Sequence, residues 1–384
     1  MFPVLNTLMF GAALPKPKSA NDTVGVHTHG YRAHDCYEPL MDRRDYDAMQ
    51  AGGLRVLRTD CLWGAVEQQQ GKYDFSKYDA LVKACKARGI RPMMILGLGN
   101  GLYGEGLTAY PQTTADAFTR YAKAAVAHFK GKGIIWELVQ QPNQAFFWQP
   151  EPNARDYVAL AKQLLPELQQ IDPTAIFVAP SLAGHDLAYQ EACYQEGLLE
   201  VADAVSVHPY RSAARTPESI EENYRKSQAL IKQYAPEGKD IPVILGEWGY
   251  HTLEVDPDTQ ADYAVRQYLI GMMLGTPINI WHDWKGDIFD VTDDPANPEQ
   301  LYGFVNKDLE PKPVFDAVKR MLQALEDQSF KARVASSPGD YLLIFEGNGK
   351  KTLVAWTTEN PHKVKHNEKT LTLSGKPVFI PLAE

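Results

Sequence analysis

Short runs of consecutive apolar residues alternate along the chain with longer stretches in which apolar positions recur every three to four residues. The short runs are TVGVHTH (23–29), LRVLRTD (54–60), RPMMILGL (91–98), GIIWELV (133–139), AIFVAPS (175–181), DAVSVHP (203–209), IPVILGEW (241–248) and PINIWHDW (277–284). They are rich in Val and Ile and nearly continuous in hydrophobicity, as parallel strands buried on both faces are. The longer stretches predict helices over 76–89, 113–133, 154–171, 219–234, 259–275 and 313–328. Thr caps open one of them, and glycines close several, where helices need them. Eight strand–helix alternations in this length predict an α/β fold of the (β/α)₈ barrel type rather than an open doubly wound sheet. No glycine-rich phosphate loop follows the first strand, which removes the main support for a dinucleotide fold.

The pattern changes after residue 328. FKARVASS, DYLLIFEG, KTLVAWTTE, KTLTLSG and PVFIPLA are short, alternating and separated by Gly, Asn and Pro. They predict an antiparallel β unit packed on the barrel. The expected division is a barrel over 16–328 and an accessory β domain over 329–384, with the apolar stretch 1–15 a candidate extra strand.

Composition narrows the function classes. The 384 residues are 44% hydrophobic, enough for one large core and a small accessory unit. A formal net charge of −9 with no basic run argues against a nucleic-acid surface. The four cysteines, Cys36, Cys61, Cys85 and Cys193, form no CxxC pair and no metal-ligand spacing. Cys61 and Cys85 lie in patterned apolar stretches and read as buried thiols. No apolar run is long enough to span a bilayer. The start, MFPVLNTLMFGAALP, lacks the positive leader of a signal peptide and reads as a strand or as the mature start of an exported protein. The expected location is secreted or periplasmic.

In a barrel of this kind the chemistry sits at the carboxyl ends of the strands. Those ends carry His27 and His29, Arg58 and Asp60, Asn100, Gln140, Gln141 and Asn143, His208 and Tyr210, Glu247, then Trp281 and Asp283. Glu247 follows the apolar VILG, and a carboxylate there is costly unless it is paired or working. Arg58, His208 and Tyr210 are candidates to keep it ionised. Glu137, inside the fourth strand, reads as an interior partner of Arg58.

WELVQQPN (136–143), DAVSVHPYR (203–211), ILGEWG (244–249) and IWHDWKGD (280–287) resemble the retaining glycosidases of clan A, closest to family 39 and its family 5-like relatives. The stretches 58–82 and 97–104 resemble the same group after its second and third strands. The resemblance spans roughly residues 23–325. It implies a glycoside hydrolase acting on β-linked oligo- or polysaccharide by double displacement, with Glu247 as nucleophile. It implies sugar contacts from Arg58, Asn100, Gln140, His208, Tyr210, His29 and Asp283, and a sugar platform at Trp281. Trp148 and Phe147, on the fourth loop, are candidates for a second platform. No cofactor and no metal are implied, and a monomer suffices.

The same resemblance exposes a departure. The fourth strand of that clan ends in Asn-Glu-Pro, with the Glu as general acid/base, whereas this chain has Gln140-Gln141-Pro142. An amide cannot deliver a proton to a leaving oxygen. Three explanations stand: an isosteric Glu→Gln change at Gln141 that inactivates the site, a substitute acid such as Glu67, Asp283 or Asp287, or a protein that binds glycans without cleaving them. The first is preferred, although Gln140 points towards natural divergence. A metal-dependent hydrolase is the further rival, because His27-Thr28-His29 matches an HxH pair that His208 and Asp283 could extend. The fourth and fifth strands supply no bridging Lys or His for it.

Overall fold

The computed structural model describes residues 13–28, 41–97, 99–104, 112–286, 297–334, 336–366 and 369–382. Eight parallel strands close a barrel in chain order: β1 (Val24–His27), β2 (Val56–Leu62), β3 (Arg91–Gly97), β4 (Ile135–Leu138), β5 (Ile176–Ala183), β6 (Ala204–His208), β7 (Val243–Trp248) and β8 (Asn279–Trp281). Closure is made by β1 against β8, with Val24 opposite Asn279 and Val26 opposite Trp281. Each of the eight predicted runs contains or overlaps its strand. The outer layer consists of α1 (Arg43–Ala51), α2 (Trp63–Val66), α3 (Ser76–Lys86), α4 (Gln112–His128), α5 (Ala154–Ile171), α6 (Leu187–Gln195), α7 (Glu221–Tyr234), α8 (Pro257–Leu274) and α9 (Pro313–Ala324). The short α1, α2 and α6 were not legible in the pattern.

Strand alternation sorts the residues into two layers. Val56, Met93, Ile135, Ile176, Ala204, Ile244, Ile278 and Ile280 form one apolar cluster inside the barrel. Leu57, Met94, Trp136, Phe177, Val205, Leu245 and Trp281 belong to a separate cluster that packs against the helices. Two residues beyond the interior Val56, Ile135 and Ile280 come Arg58, Glu137 and His282, and four beyond Ala204 comes His208. The alternation that buries the apolar floor therefore aims these polar groups up the barrel axis.

The C-terminal unit is a sheet in the order β14-β11-β10-β9, from β9 (Ser329–Arg333), β10 (Asp340–Gly347), β11 (Lys350–Thr357) and β14 (Val378–Pro381), with a hairpin of β12 (His362–His366) and β13 (Lys369–Leu373). Tyr341, Leu343, Phe345, Val354 and Trp356 belong to the same apolar cluster as the barrel's outer layer. The predicted extra strand at the chain start falls largely on residues 1–12, outside the described residues. Cys61, Cys85 and Cys193 are buried free thiols, as expected for the first two. No helix among the described residues is long and apolar enough to cross a membrane.

Candidate active site

Arg58 has no exposed surface and organises the barrel mouth. Its Nε and Nη2 donate to Glu137 Oε2 and Oε1 at 3.0 and 2.5 Å. Its Nη1 donates to Glu247 Oε2 at 2.6 Å and to His27 Nδ1 at 2.5 Å, while Nη2 lies 3.4 Å from Gln140 Oε1. The expected pairing of Glu137 with Arg58 is present. One guanidinium thus spans two carboxylates, a bidentate geometry that a lysine could not reproduce.

Glu247 ends β7 with its other oxygen, Oε1, accepting from Tyr210 Oη at 2.8 Å. Gly246 before it is a packing requirement, since a Cβ there would collide with Ser206 Oγ and stand 3.1 Å from His208 Nε2. Burial works against ionisation of Glu247, but His208, Arg58 and His27 beside it hold the carboxyl well below the usual carboxylate range. Burial pushes His208 down to about 3, so that ring is neutral at pH 7. With that ring neutral, the permanent charge of Arg58 in direct contact is the main one that keeps Glu247 ionised.

The chain turns sharply as it leaves β4, with φ of 56° at Val139 and 46° at Gln141. Positive φ at a β-branched valine is rare and concentrates at functional sites. The backbone N–H of Gln141 donates to Ser181 O at 2.8 Å, which fixes the turn against β5. Gln141 Nε2 then donates to His208 Nδ1 at 2.8 Å. With Nδ1 accepting, the His208 proton sits on Nε2 and donates to Ser181 Oγ at 2.9 Å. His208 Nδ1 also stands 3.9 Å from Glu247 Oε2, beyond hydrogen-bond reach.

Arg58, Gln140, Gln141, His208, Tyr210 and Glu247 therefore come together as expected from the strand ends. Other expected residues do not join them. Trp281 is fully buried, on the strand face opposite Ile280, stacked on Phe304 at 5.7 Å and donating through Nε1 to Tyr302 O. Trp148 is 1% exposed and packs edge-on to Tyr157. Neither offers a face to a sugar. Asn100 donates to Glu67 O and accepts from Leu102 N, holding the third loop to the second. Asp283 is 1% exposed and accepts from Gly286 N at 2.8 Å. Glu67 accepts from Trp63 Nε1, Gly71 N and Tyr103 Oη at 2.5–2.6 Å, which ties both of its oxygens to the second and third loops. His29 and Asp287 lie outside the described residues.

Sequence reasoning passed over His282. It stands beside Trp281, takes the inward position, and sets its ring edge-on to His27, Tyr210 and Tyr302 with centroids 5.5, 6.0 and 5.0 Å away. Its Nε2 meets Glu299 Oε2 at 3.2 Å. Burial opposes its charge, but the bond to Glu299 and the nearby Asp283 and Glu247 raise its pKa to about 9. The alternation from Ile278 and Ile280 was the available signal.

His27, Glu247 and His282 offer ligand atoms within 4.8 Å of one another. A cation among them would face the permanent charge of Arg58, already 2.6 Å from Glu247 and 2.5 Å from His27. That donor set suits a carboxylate held ionised by a guanidinium better than a metal.

Solved structures share this fold. A family 39 glycoside hydrolase from Bacteroides cellulosilyticus WH2 is 20% identical, with a TM-score of 0.80 over 95% of this chain and 82% of that one. A family 39 β-xylosidase from Caulobacter crescentus is 19% identical, with a TM-score of 0.68 over 93% of this chain and 82% of that one. A family 39 enzyme from Xanthomonas axonopodis pv. citri is 18% identical, with a TM-score of 0.67 over 94% and 78%. No curated protein matches the sequence. Residues 19–285 match the family model described as cellulase (glycosyl hydrolase family 5), so the chain belongs to that family of glycoside hydrolases.

Proposed function

We propose that the chain is a retaining β-glycosidase in which Glu247 is the nucleophile and Gln141 occupies the acid/base position. The observation that carries the reading is Glu247 held ionised between Arg58 Nη1 at 2.6 Å and Tyr210 Oη at 2.8 Å. A carboxylate must be charged to attack an anomeric carbon, and two fixed donors keep it so. Tyr210 and Arg58 also orient it, one on each oxygen.

His208 Nδ1 lies 2.8 Å from Gln141 Nε2 and 3.9 Å from Glu247 Oε2, so the two groups face one site; double displacement there is what the resemblance to retaining glycosidases implies. Gln140, on the same turn and facing Arg58, is placed to bond the sugar next to the scissile bond. All these groups come from one chain, so a monomer suffices. A glycan substrate fits a location outside the cytoplasm.

The test is covalent trapping. A 2-deoxy-2-fluoro glycoside with a dinitrophenolate leaving group needs no acid, and it should label the peptide that contains Glu247. Label on another residue, or no label from a panel of sugars that the protein demonstrably binds, would remove the assignment.

A further inference from the structure

On the side of the cleft where a leaving oxygen would be protonated stands an amide. Gln141 Nε2 donates to His208 Nδ1 at 2.8 Å, and the one proton of that neutral ring is given to Ser181 Oγ at 2.9 Å. Neither group has an acidic proton to offer. Among the described residues, four carboxylates around the site are committed as acceptors. Glu137 takes two bonds from Arg58, Glu67 takes three, Asp283 takes the N–H of Gly286, and Glu299 takes His282. The nucleophile half of the same site is complete.

We propose that this site cleaves β-glycosides whose aglycone departs as a stable anion, such as those of acidic phenols, rather than sugar–sugar linkages, an inference that rests on Glu247 being the nucleophile. A Glu247 oxygen bonds to C1 while the C1–O bond to the aglycone breaks, its electron pair leaving as phenolate. No proton is required in that step. In the second step a nucleophile bonds to C1 and the C1–O bond to Glu247 breaks, restoring the carboxylate. Water must shed a proton here and finds no base in Gln141, so the glycosyl-enzyme accumulates. A small anionic nucleophile such as azide needs no base and should resolve it as the glycosyl azide.

The test is a series of aryl β-glycosides of falling phenol acidity together with a β-linked disaccharide, assayed on the native protein with and without azide. The expected result is a steep fall in the first turnover as the phenol becomes less acidic. A burst of phenolate with dinitrophenyl glycosides and a glycosyl azide product should accompany it. Q141E should flatten the series and raise disaccharide cleavage by about 10²–10⁴-fold, the usual worth of a general acid. The native series stands by itself if that variant folds poorly. A shallow native series with ready disaccharide cleavage would overturn the inference and leave Glu247 in place. D60N would then ask whether Asp60, buried within β2, is the donor. Failure of even the dinitrophenyl glycosides to react, with binding intact, would overturn the nucleophile reading as well.

Discussion

Arg58 Nη1 donates to Glu247 Oε2 at 2.6 Å from a side chain with no exposed surface, while the same guanidinium holds Glu137 through Nε and Nη2. The arrangement is a buried triad of one cation and two anions. Removing its centre strands two carboxylates in a poorly solvated site. Arg58→Met should therefore cost about 3–5 kcal/mol in a urea titration at pH 7. The double variant R58M/E137M should be less damaging than the single, because one of the two stranded charges goes with it. A single variant as stable as the native protein would mean that the triad contributes nothing to the fold.

Tyr210 bonds the other oxygen of Glu247, so its loss separates orientation from fold. Tyr210→Phe deletes one donor to a charged acceptor, a bond of about 1.5–3 kcal/mol. The rate of glycosyl-enzyme formation from an activated aryl glycoside should fall roughly 10–100-fold. The donor favours the charged carboxylate, so without it the pKa of Glu247 rises and the acid limb of the rate profile moves to higher pH. A rate loss with an unmoved limb would assign Tyr210 to sugar contact instead.

This part of the site was legible because it follows strand ends. Arg58, His208 and Glu247 each close an apolar run, and a buried charge at such a place has to be paired or working. The aromatic platforms were not legible. Trp281 looked like a sugar-facing ring because of the motif around it, but strand parity sends it outward and sends His282 inward. Trp148 looked like a loop residue, yet its indole packs on Tyr157 of α5. The partners of His282 come from residues 299–302, far from it in sequence, where no periodicity announces a contact. The pairing of Gln141 with His208 depended on the positive φ at Val139 and Gln141, which neither residue type advertises.

The buried histidines set the acid limb of stability. Burial lowers both His185 and His208 to about 3, against ~6.5 in an unfolded chain. As pH falls from 6.5 towards 3 the unfolded chain takes up these protons first, so stability is lost over that window. The depressed carboxyl of Glu247 adds a loss in the same direction, but only at lower pH. The acid limb should therefore begin near pH 6, above the carboxylate range. His185 lies outside the active-site cluster, with Nδ1 3.3 Å from Ser227 Oγ. H185Q should reduce the limb's slope by up to about 1.4 kcal/mol per pH unit, the linkage of one proton. Urea midpoints at several pH values measure it, and an unchanged slope would refute the assignment to His185.

His282 acts at the opposite end of the scale. Its folded pKa of about 9 lies above the unfolded value of ~6.5. Its contribution is complete below the unfolded value and is lost as pH rises through the folded one. Glu299 is half-exposed and can be changed without opening the core. Glu299→Gln should lower the His282 pKa and bring the alkaline loss of stability to lower pH. An NMR titration of the His282 ring reads the shift directly, and an unmoved titration would place the cause with Asp283 and Glu247.

The last prediction concerns the join between the sheet and the barrel. Glu218, just after the segment that carries Tyr210, receives Arg266 of α8 at 2.7 and 2.6 Å and Trp356 Nε1 of β11 at 2.8 Å. Trp356 stacks on Tyr341 at 4.9 Å, and both belong to the apolar cluster that runs through the barrel's outer layer. A sheet fastened by a shared core and a buried ion pair has no reason to unfold alone. Thermal unfolding should therefore show one transition, followed identically by far-UV and near-UV signals. Glu218→Gln leaves Arg266 nine-tenths buried or more without its anion and should cost about 3–5 kcal/mol. E218M/R266M, which replaces the pair with apolar volume, should recover most of that loss. A chain ending at residue 328 should fail to fold stably, because removing Trp356, Val354 and Phe345 uncovers the apolar surface they cover on the barrel. A stable, cooperatively folding 1–328 fragment would show that the sheet is a separable domain and that the ion pair is a surface tether.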